Sequence, residues 1–179
     1  FDGCFVWGES LMAQTYDAIA SQTLTSDQSS VTFSSINQNY TDLILVSSVR
    51  INQSGSSGLY CQPNGVTTAN KGFTYLFGNG TAASSGRSSN DSYIRIGFAS
   101  GTSTSSGTFS TSISNFMNYS NTTTYKTILS RGSETNIGVE AVVALFPSTN
   151  AITSLSIYAN GLVNILTGST FTLYGVKSA

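Results

Sequence analysis

Few residues in this chain can do chemistry near neutral pH. There is no histidine, which excludes Ser–His and Cys–His nucleophiles and histidine-bound metals together. Lys71, Lys126 and Lys177 have no sequence neighbours that would activate an amine nucleophile. Paired carboxylates, the requirement of glycoside hydrolysis, are the one catalytic class left open. Glu134 and Glu140 are the candidates, with Asp42, Asp91 and Asp17 as outliers. Their even spacing would put Glu134 and Glu140 on one face of an unbroken strand. Gly132-Ser133 ahead of them reads as a turn, however, so two solvated carboxylates at a strand's start are expected.

Binding chemistry is equally sparse. Asn90-Asp91 could contribute oxygens to Ca²⁺, but a lone Asp falls short of the six to eight that the ion takes, so no metal or cofactor is expected. Gly78-Asn79-Gly80 lacks the lysine and the strand-to-helix setting of a phosphate loop and reads as a hairpin turn between Phe77 and Thr81. Cys4 and Cys61 show neither a metal spacing nor a redox pair; idle thiols and one disulfide both remain open. Asn-x-Ser/Thr sequons begin at Asn39, Asn52, Asn79, Asn90, Asn118 and Asn121, hardly more than the roughly four that this composition produces by chance. Tyr60, Tyr119 and Tyr158 are the rings to weigh as sugar-stacking platforms at loop tips, against the plainer role of capping a core edge.

The elements that must carry these residues are strands. Ile94, Ile96 and Phe98 alternate with Arg95 and Gly97, and Phe109, Thr111 and Ile113 alternate with small polar residues. The longest series is Ile137, Val139, Ala141, Val143 and Leu145, its other face running from Gly138 and Glu140 to Phe146. Residues 43–46 form a continuous apolar run, the mark of a central strand covered on both sides. Further strands are expected at 16–24, 30–36, 73–77, 125–129, 154–158 and 170–176. In the last of these Phe171 and Leu173 face one way, Tyr174 and Val176 the other. Turn-rich stretches separate them at 52–58, 63–65, 78–80, 84–91 and 100–107. No segment carries a helical apolar stripe. About ten short strands at this spacing predict an all-β fold, a single β-sandwich of jelly-roll type.

The chain has 179 residues, enough for one domain with a real core, and aromatics make up 11%. Charged residues are only 8%, far below the usual quarter, while Ser, Thr and Asn supply 69 positions. Such a neutral surface gives little repulsion between molecules, which repetitive assemblies tolerate. A net charge of −1 with scattered cations argues against nucleic acid, and no apolar run is long enough to span a bilayer as a helix. Residues 1–11 read as an N-terminal arm ahead of a sandwich domain at 12–179. Phe1, Phe5, Val6 and Trp7 are its candidate anchors on a neighbouring subunit; a strand folded back on its own domain is the alternative.

Four stretches carry a family likeness. They are Met12-Ala-Gln-Thr-Tyr-Asp-Ala-Ile-Ala; Val31-Thr-Phe-Ser-Ser-Ile with Tyr40-Thr-Asp-Leu-Ile-Leu-Val-Ser-Ser-Val-Arg; Asn118-Tyr-Ser-Asn-Thr-Thr-Thr-Tyr-Lys-Thr-Ile-Leu-Ser-Arg; and Ala151-Ile-Thr-Ser-Leu-Ser-Ile with Gly168-Ser-Thr-Phe-Thr-Leu-Tyr-Gly-Val. In this order they resemble small β-sandwich virion proteins of tailed bacteriophages, marine and cyanobacterial ones in particular. The resemblance implies a place on the exterior of a phage particle, as a capsid decoration (cement), tail or fibre component, and transfers no site residues. It leads to the expectation of a non-enzymatic decoration protein forming a symmetric homo-oligomer such as a trimer, with the major capsid protein or other virion proteins as partners. A receptor-binding or tail-fibre tip domain recognising host surface glycan is the second reading, and a carbohydrate-active enzyme the remote third. Within these stretches Asp42 is placed to accept backbone amides near its strand's start. Arg50 and Arg131 end strands, with Asp42 and Glu134 as the carboxylates open to them.

Overall fold

In the computed structural model, which describes residues 15–161 and 163–177, the alternating segments form twelve strands. They are β1 (Tyr16–Thr23), β2 (Val31–Phe33), β3 (Asp42–Val49), β4 (Ser57–Pro63), β5 (Lys71–Gly78), β6 (Ala83–Asp91), β7 (Ile94–Ala99), β8 (Ser110–Phe116), β9 (Lys126–Glu134), β10 (Gly138–Phe146), β11 (Leu155–Ala159) and β12 (Thr170–Val176). The described residues contain no helix. All ladder pairings between the strands are antiparallel.

The strands build two sheets, one ordered β1-β12-β3-β8-β9-β10-β5-β6 and the other β2-β11-β4-β7. Eight connections cross between them, one into and one out of each of β2, β4, β7 and β11. With the strands β1, β12, β3 and β8 that face them, these are the two halves of a jelly roll. The β5–β6 and β9–β10 hairpins are insertions that widen the first sheet to twice the width of the second.

Sheet pairing gives the strands between the edges of the first sheet, and those of the second, a buried face; the edge strands β1 and β6 have none. Leu43, Leu45 and Val49 of β3 and Phe171 and Leu173 of β12 meet Leu59 and Cys61 of β4 and Leu155 and Ile157 of β11 in one core. Phe171 and Leu173 are buried while Tyr174 and Val176 are only partly so, as the alternation predicts. The run at 43–46 is central, but Ile44 and Val46 remain partly exposed on the outer face, so it is covered fully on one side only.

Five stretches depart from expectation. β4 forms where no strand was expected, and in β8 the buried face is that of Ser110, Ser112 and Ser114, not that of Thr111 and Ile113. Residues 84–91 form strand β6, because β5 offers a free edge that Ser- and Gly-rich chain can pair with through backbone alone. Gly132-Ser133 does not turn; β9 runs through it to Glu134. In β10 the buried face is Glu140, Val142, Ala144 and Phe146, whereas Val139, Ala141, Val143 and Leu145 are exposed. The more uniformly apolar face is thus the outer one. The Gly78-Asn79-Gly80 turn is present between β5 and β6, with Asn79 Oδ1 accepting the amides of Thr81 and Ala82 at 3.0 and 2.7 Å and Gly80 at φ 88°.

The tightest packing lies where β7 crosses β8 and β9. Gly97 has φ 152°, and a Cβ there would sit 2.7 Å from Cβ of Ser112; one on Gly132 would sit 3.3 Å from Cα of Gly97. Side chains are short along this seam, and their hydroxyls bond inward: Ser47 with Ser112 at 2.7 Å, Ser114 with Ser130 at 2.8 Å, and Ser130 donating to the Ile96 carbonyl at 2.6 Å. Gly97→Ala therefore meets a steric clash and a disfavoured φ together, and should cost about 3 kcal/mol of unfolding free energy. Gly80→Ala, whose Cβ would meet open space, carries only the φ strain and should cost about 1 kcal/mol. Urea unfolding of the two variants checks the difference; equal costs would mean that the close approach is not enforced.

Candidate functional site

The widened sheet overhangs β7, the edge strand of the smaller sheet, and charged and aromatic side chains gather there. Arg95 of β7 reaches Glu140 of β10, with Nε and Nη2 both 2.9 Å from Oε2. The guanidinium lies 5.3 Å from the ring centroid of Tyr75 and 4.8 Å from that of Phe98, so it is sandwiched by cation–π contacts. Phe98 in turn meets Phe77 edge-on at 5.9 Å. The strand bulge between Leu59 and Tyr60 places Tyr60 opposite Arg95. Tyr60 stacks on Tyr93 at 4.0 Å and meets Tyr158 edge-on at 6.0 Å. Tyr93 continues the cluster to Phe73 at 6.4 Å.

Burial controls the electrostatics of the cluster. Desolvation raises the pKa of Glu140, with the Arg95 charge and its hydrogen bond opposing that rise. Glu140 Oε1 has no hydrogen-bond partner among the described residues. The Tyr60 and Tyr158 hydroxyls are pushed up to about 12, first by desolvation. The two tyrosines are thus held far from titration near neutrality, whereas Glu140 is moved towards it from the acid side.

Glu134 and Glu140 come together as diagonal neighbours on the inner face of the β9–β10 hairpin, Glu134 opposite Gly138 and Glu140 opposite Gly132. The expectation of solvated carboxylates is corrected: they are 2% and 4% exposed. Their backbones stand about 7–8 Å apart, and each carboxylate already has a fixed partner. Glu134 accepts from Ser100 Oγ at 3.2 Å and from the Asn136 amide at 3.0 Å. Asp42 accepts the Asn118 amide at 2.6 Å, so it fastens the turn after β8 to the start of β3. Asp17 lies at the other end of the molecule, paired with Lys177 at 2.8 Å. Asp91 ends β6, and among the described residues no group of three or more acidic, Cys or His residues gathers.

The tyrosines are not loop-tip platforms. Tyr60 and Tyr158 face each other across β4 and β11, and Tyr119 is fully buried, donating to the Asn37 carbonyl. Arg50 pairs with no carboxylate among the described residues. It is buried and donates to Thr104 Oγ1 at 3.0 Å, to the Thr104 and Thr108 carbonyls at 2.9 and 3.1 Å, and to the Ser105 carbonyl, fixing the loop before β8. Arg131 is exposed on the outer face. Cys61 is a free thiol wholly inside the core, its pKa raised by burial. The arm anchors Phe1, Phe5, Val6 and Trp7, together with Cys4 and Met12, lie outside the described residues.

Sequence reasoning missed three features. Lys126, fully buried, donates to the carbonyls of Asn121, Thr124, Ser148 and Thr149 and so joins two loops. Its signal was present in the Asn121-Thr-Thr-Thr run ahead of it, whose Asn side chain caps the Thr123 and Thr124 amides. The Arg95–Glu140 pair joins residues distant in sequence and left no local signal. The third is the outer face of the widened sheet, where Leu76, Leu129, Val139, Val143 and Leu145 are 64, 41, 59, 51 and 44% exposed.

No family model matches this chain, and no curated protein matches it. Among solved structures it is similar to a variant of the alginate lyase Aly36B in complex with an alginate tetrasaccharide. The identity is 10% and the TM-score 0.27, over 85% of this chain and 72% of that one. A likeness at that level carries no functional argument.

The buried pair makes a two-part prediction. Arg95→Met leaves Glu140 in the interior without its counter-charge and should cost about 3 kcal/mol. Because the folded-state pKa of Glu140 is raised above the ordinary 4.5, the folded protein takes up this proton more readily than the unfolded chain. The stability tied to Glu140 is therefore greatest below that value and is lost as pH rises through the window up to the raised pKa. Thermal melts across mildly acidic to neutral pH should show that decline in the native protein and not in Glu140→Gln. Parallel pH profiles for the two would rule the raised pKa out.

Proposed function

We propose that this protein is a non-enzymatic structural subunit of a tailed-phage particle, a decoration protein that caps the outer shell and associates with further copies of itself. The observation that carries the reading is the apolar outer face of the widened sheet. Val143 stands opposite Leu129, and Leu76 stands opposite Ala141, diagonal to Val139 and Val143; with Leu145 they make a contiguous exposed patch, on a surface rich in small neutral side chains. A patch of this size matches the largest on an ordinary monomer, and such patches are often functional. The engagement of Glu134 and Glu140 in fixed internal contacts supports the non-enzymatic part, and the resemblance of the four sequence stretches supports the phage origin.

One observation favours a second reading, glycan recognition at a fibre tip: the Tyr60–Tyr93–Tyr158 group beside Arg95. Tyr93 and Tyr158 are partly exposed, with the buried Tyr60 packed against both, and such rings next to a guanidinium suit sugar stacking and hydroxyl bonding. A decoration protein should be found in many copies spread over the shell of purified virions, and its removal should lower capsid resistance to heat or osmotic shock. A few copies confined to the tail, with glycan binding abolished by Tyr158→Ala, would replace the first reading with the second.

A further inference from the structure

The chemistry of the outer face restricts what can cover it. Along β10 the patch spans roughly 20 Å, and across β5, β10 and β9 roughly 14 Å, about 300 Å² in all. That is well under the ~800 Å² that each partner contributes to a standard interface. The small side chain of Ala141 leaves a shallow depression beside Leu76, Leu129 and Val143. The face also carries charge of one sign. Arg131 lies opposite Ala141 on β9, and Arg87 lies opposite Thr74 on β6, so the arginines flank the patch on its two sides. Glu134 and Glu140, the carboxylates of the same hairpin, are on the inner face. Two copies packed face to face would bring cations against cations over a small apolar area. The fitting occupant is short, apolar and acidic.

One segment of this chain has that chemistry. Residues 1–14 contain Phe1, Phe5, Val6, Trp7, Leu11 and Met12 with Asp2 and Glu9, and no Lys or Arg. The strand register puts Tyr16, where β1 begins, on one row with Val176, Asp42, Thr127 and Leu145. The patch is then five strand spacings away, about 24 Å. A cover by the chain's own segment would have to lay Gly8-Glu9-Ser10 and the following residues taut across the strands, past Asp42. That orders the residues between Trp7 and Tyr16 over most of their ~30 Å reach. A segment delivered by an adjacent copy has no such crossing to make.

We infer that residues 1–14 of one copy bind the β9–β10–β5 outer face of an adjacent copy, Phe5, Val6 and Trp7 filling the apolar patch and Asp2 and Glu9 meeting Arg87 and Arg131. This rests on the self-association reading above and gives it a specific contact.

Full-length chains test it by complementation. A Phe5→Asp/Trp7→Asp double variant lacks the arm's anchors, and Ala141→Arg lacks the receiving surface; Leu129→Glu replaces the latter should it fail to fold. In sedimentation each variant alone should lose the higher-mass species of the native protein, at least tenfold in apparent affinity. Mixed together, they should form a heterocomplex through one intact arm and one intact face. Trp7 is the only tryptophan, so its emission should shift to the blue as the native protein associates and stay unshifted in Ala141→Arg. Variants that associate like the native protein would overturn this contact and leave self-association standing. Two monomeric variants that do not complement would also overturn it, in favour of a cover within one chain. A native protein that is monomeric at every concentration would overturn the self-association reading along with it.

Discussion

The closeness of β7 to β8 and β9 is the constraint from which the rest of the structure follows. Where the two sheets come this near there is no room for Val or Leu, and the seam is built from Gly97, Gly132 and a row of serines. Small residues forgo the hydrophobic gain that holds most sandwiches together. They replace it with hydrogen bonds whose partners are fixed in place, since a buried hydroxyl left unpaired costs more than a satisfied one returns. Ser110 shows the economy of this arrangement: its hydroxyl lies 2.9 Å from the Val49 carbonyl and 2.7 Å from the Phe98 carbonyl, touching both sheets at once.

Close contact along the seam brings the two inserted hairpins past the edge of the smaller sheet. Edge strands present unpaired backbone and are covered or blunted in most proteins. Here β7 is shielded by β10 and β5, and the shield is pinned by Arg95, whose guanidinium joins Glu140, Tyr75 and Phe98. The pair stabilises this geometry less by its Coulomb energy, which desolvation largely offsets, than by the cost of any rearrangement that would separate the two charges. The same widening creates the outer face. A sheet of eight strands facing one of four has more surface than the jelly-roll core needs.

Much of this was legible in the sequence. Alternation and, for β3, a continuous apolar run located β1, β2, β3, β7, β11 and β12, and turn residues located the turn between β5 and β6, because these depend on contacts within a few residues. The failures share one cause. Gly132 reads as a turn residue by composition, yet its role is to let β7 approach, a fact of tertiary structure. The direction of β10 was illegible for a related reason: both its faces are apolar, and Glu140 is buried only because Arg95 arrives from another sheet. Residues 84–91 look like loop since Ser and Gly have low strand propensity, but pairing with β5 overrides propensity at a sheet edge. The tyrosines were misplaced because a ring's position between core and solvent is set by strand pairing that a single sequence does not display.

Charge in this protein is spent inside the molecule. Arg50, Lys71 and Lys126, three of the seven cations, are buried, as are Glu134 and Glu140. Each cation acts as a fastener, holding loop carbonyls that would otherwise lack donors. The exterior is left with hydroxyls, amides and the apolar rows of β5, β9 and β10. Such a surface has little electrostatic repulsion to keep copies apart. Under those conditions the few exposed charges acquire weight beyond their number. Arg87 and Arg131, on either side of an apolar depression, are enough to set which sign of partner is admitted, because no carboxylate of that hairpin faces outward to cancel them. Selectivity on a nearly neutral surface comes from where charge is absent as much as from where it is placed.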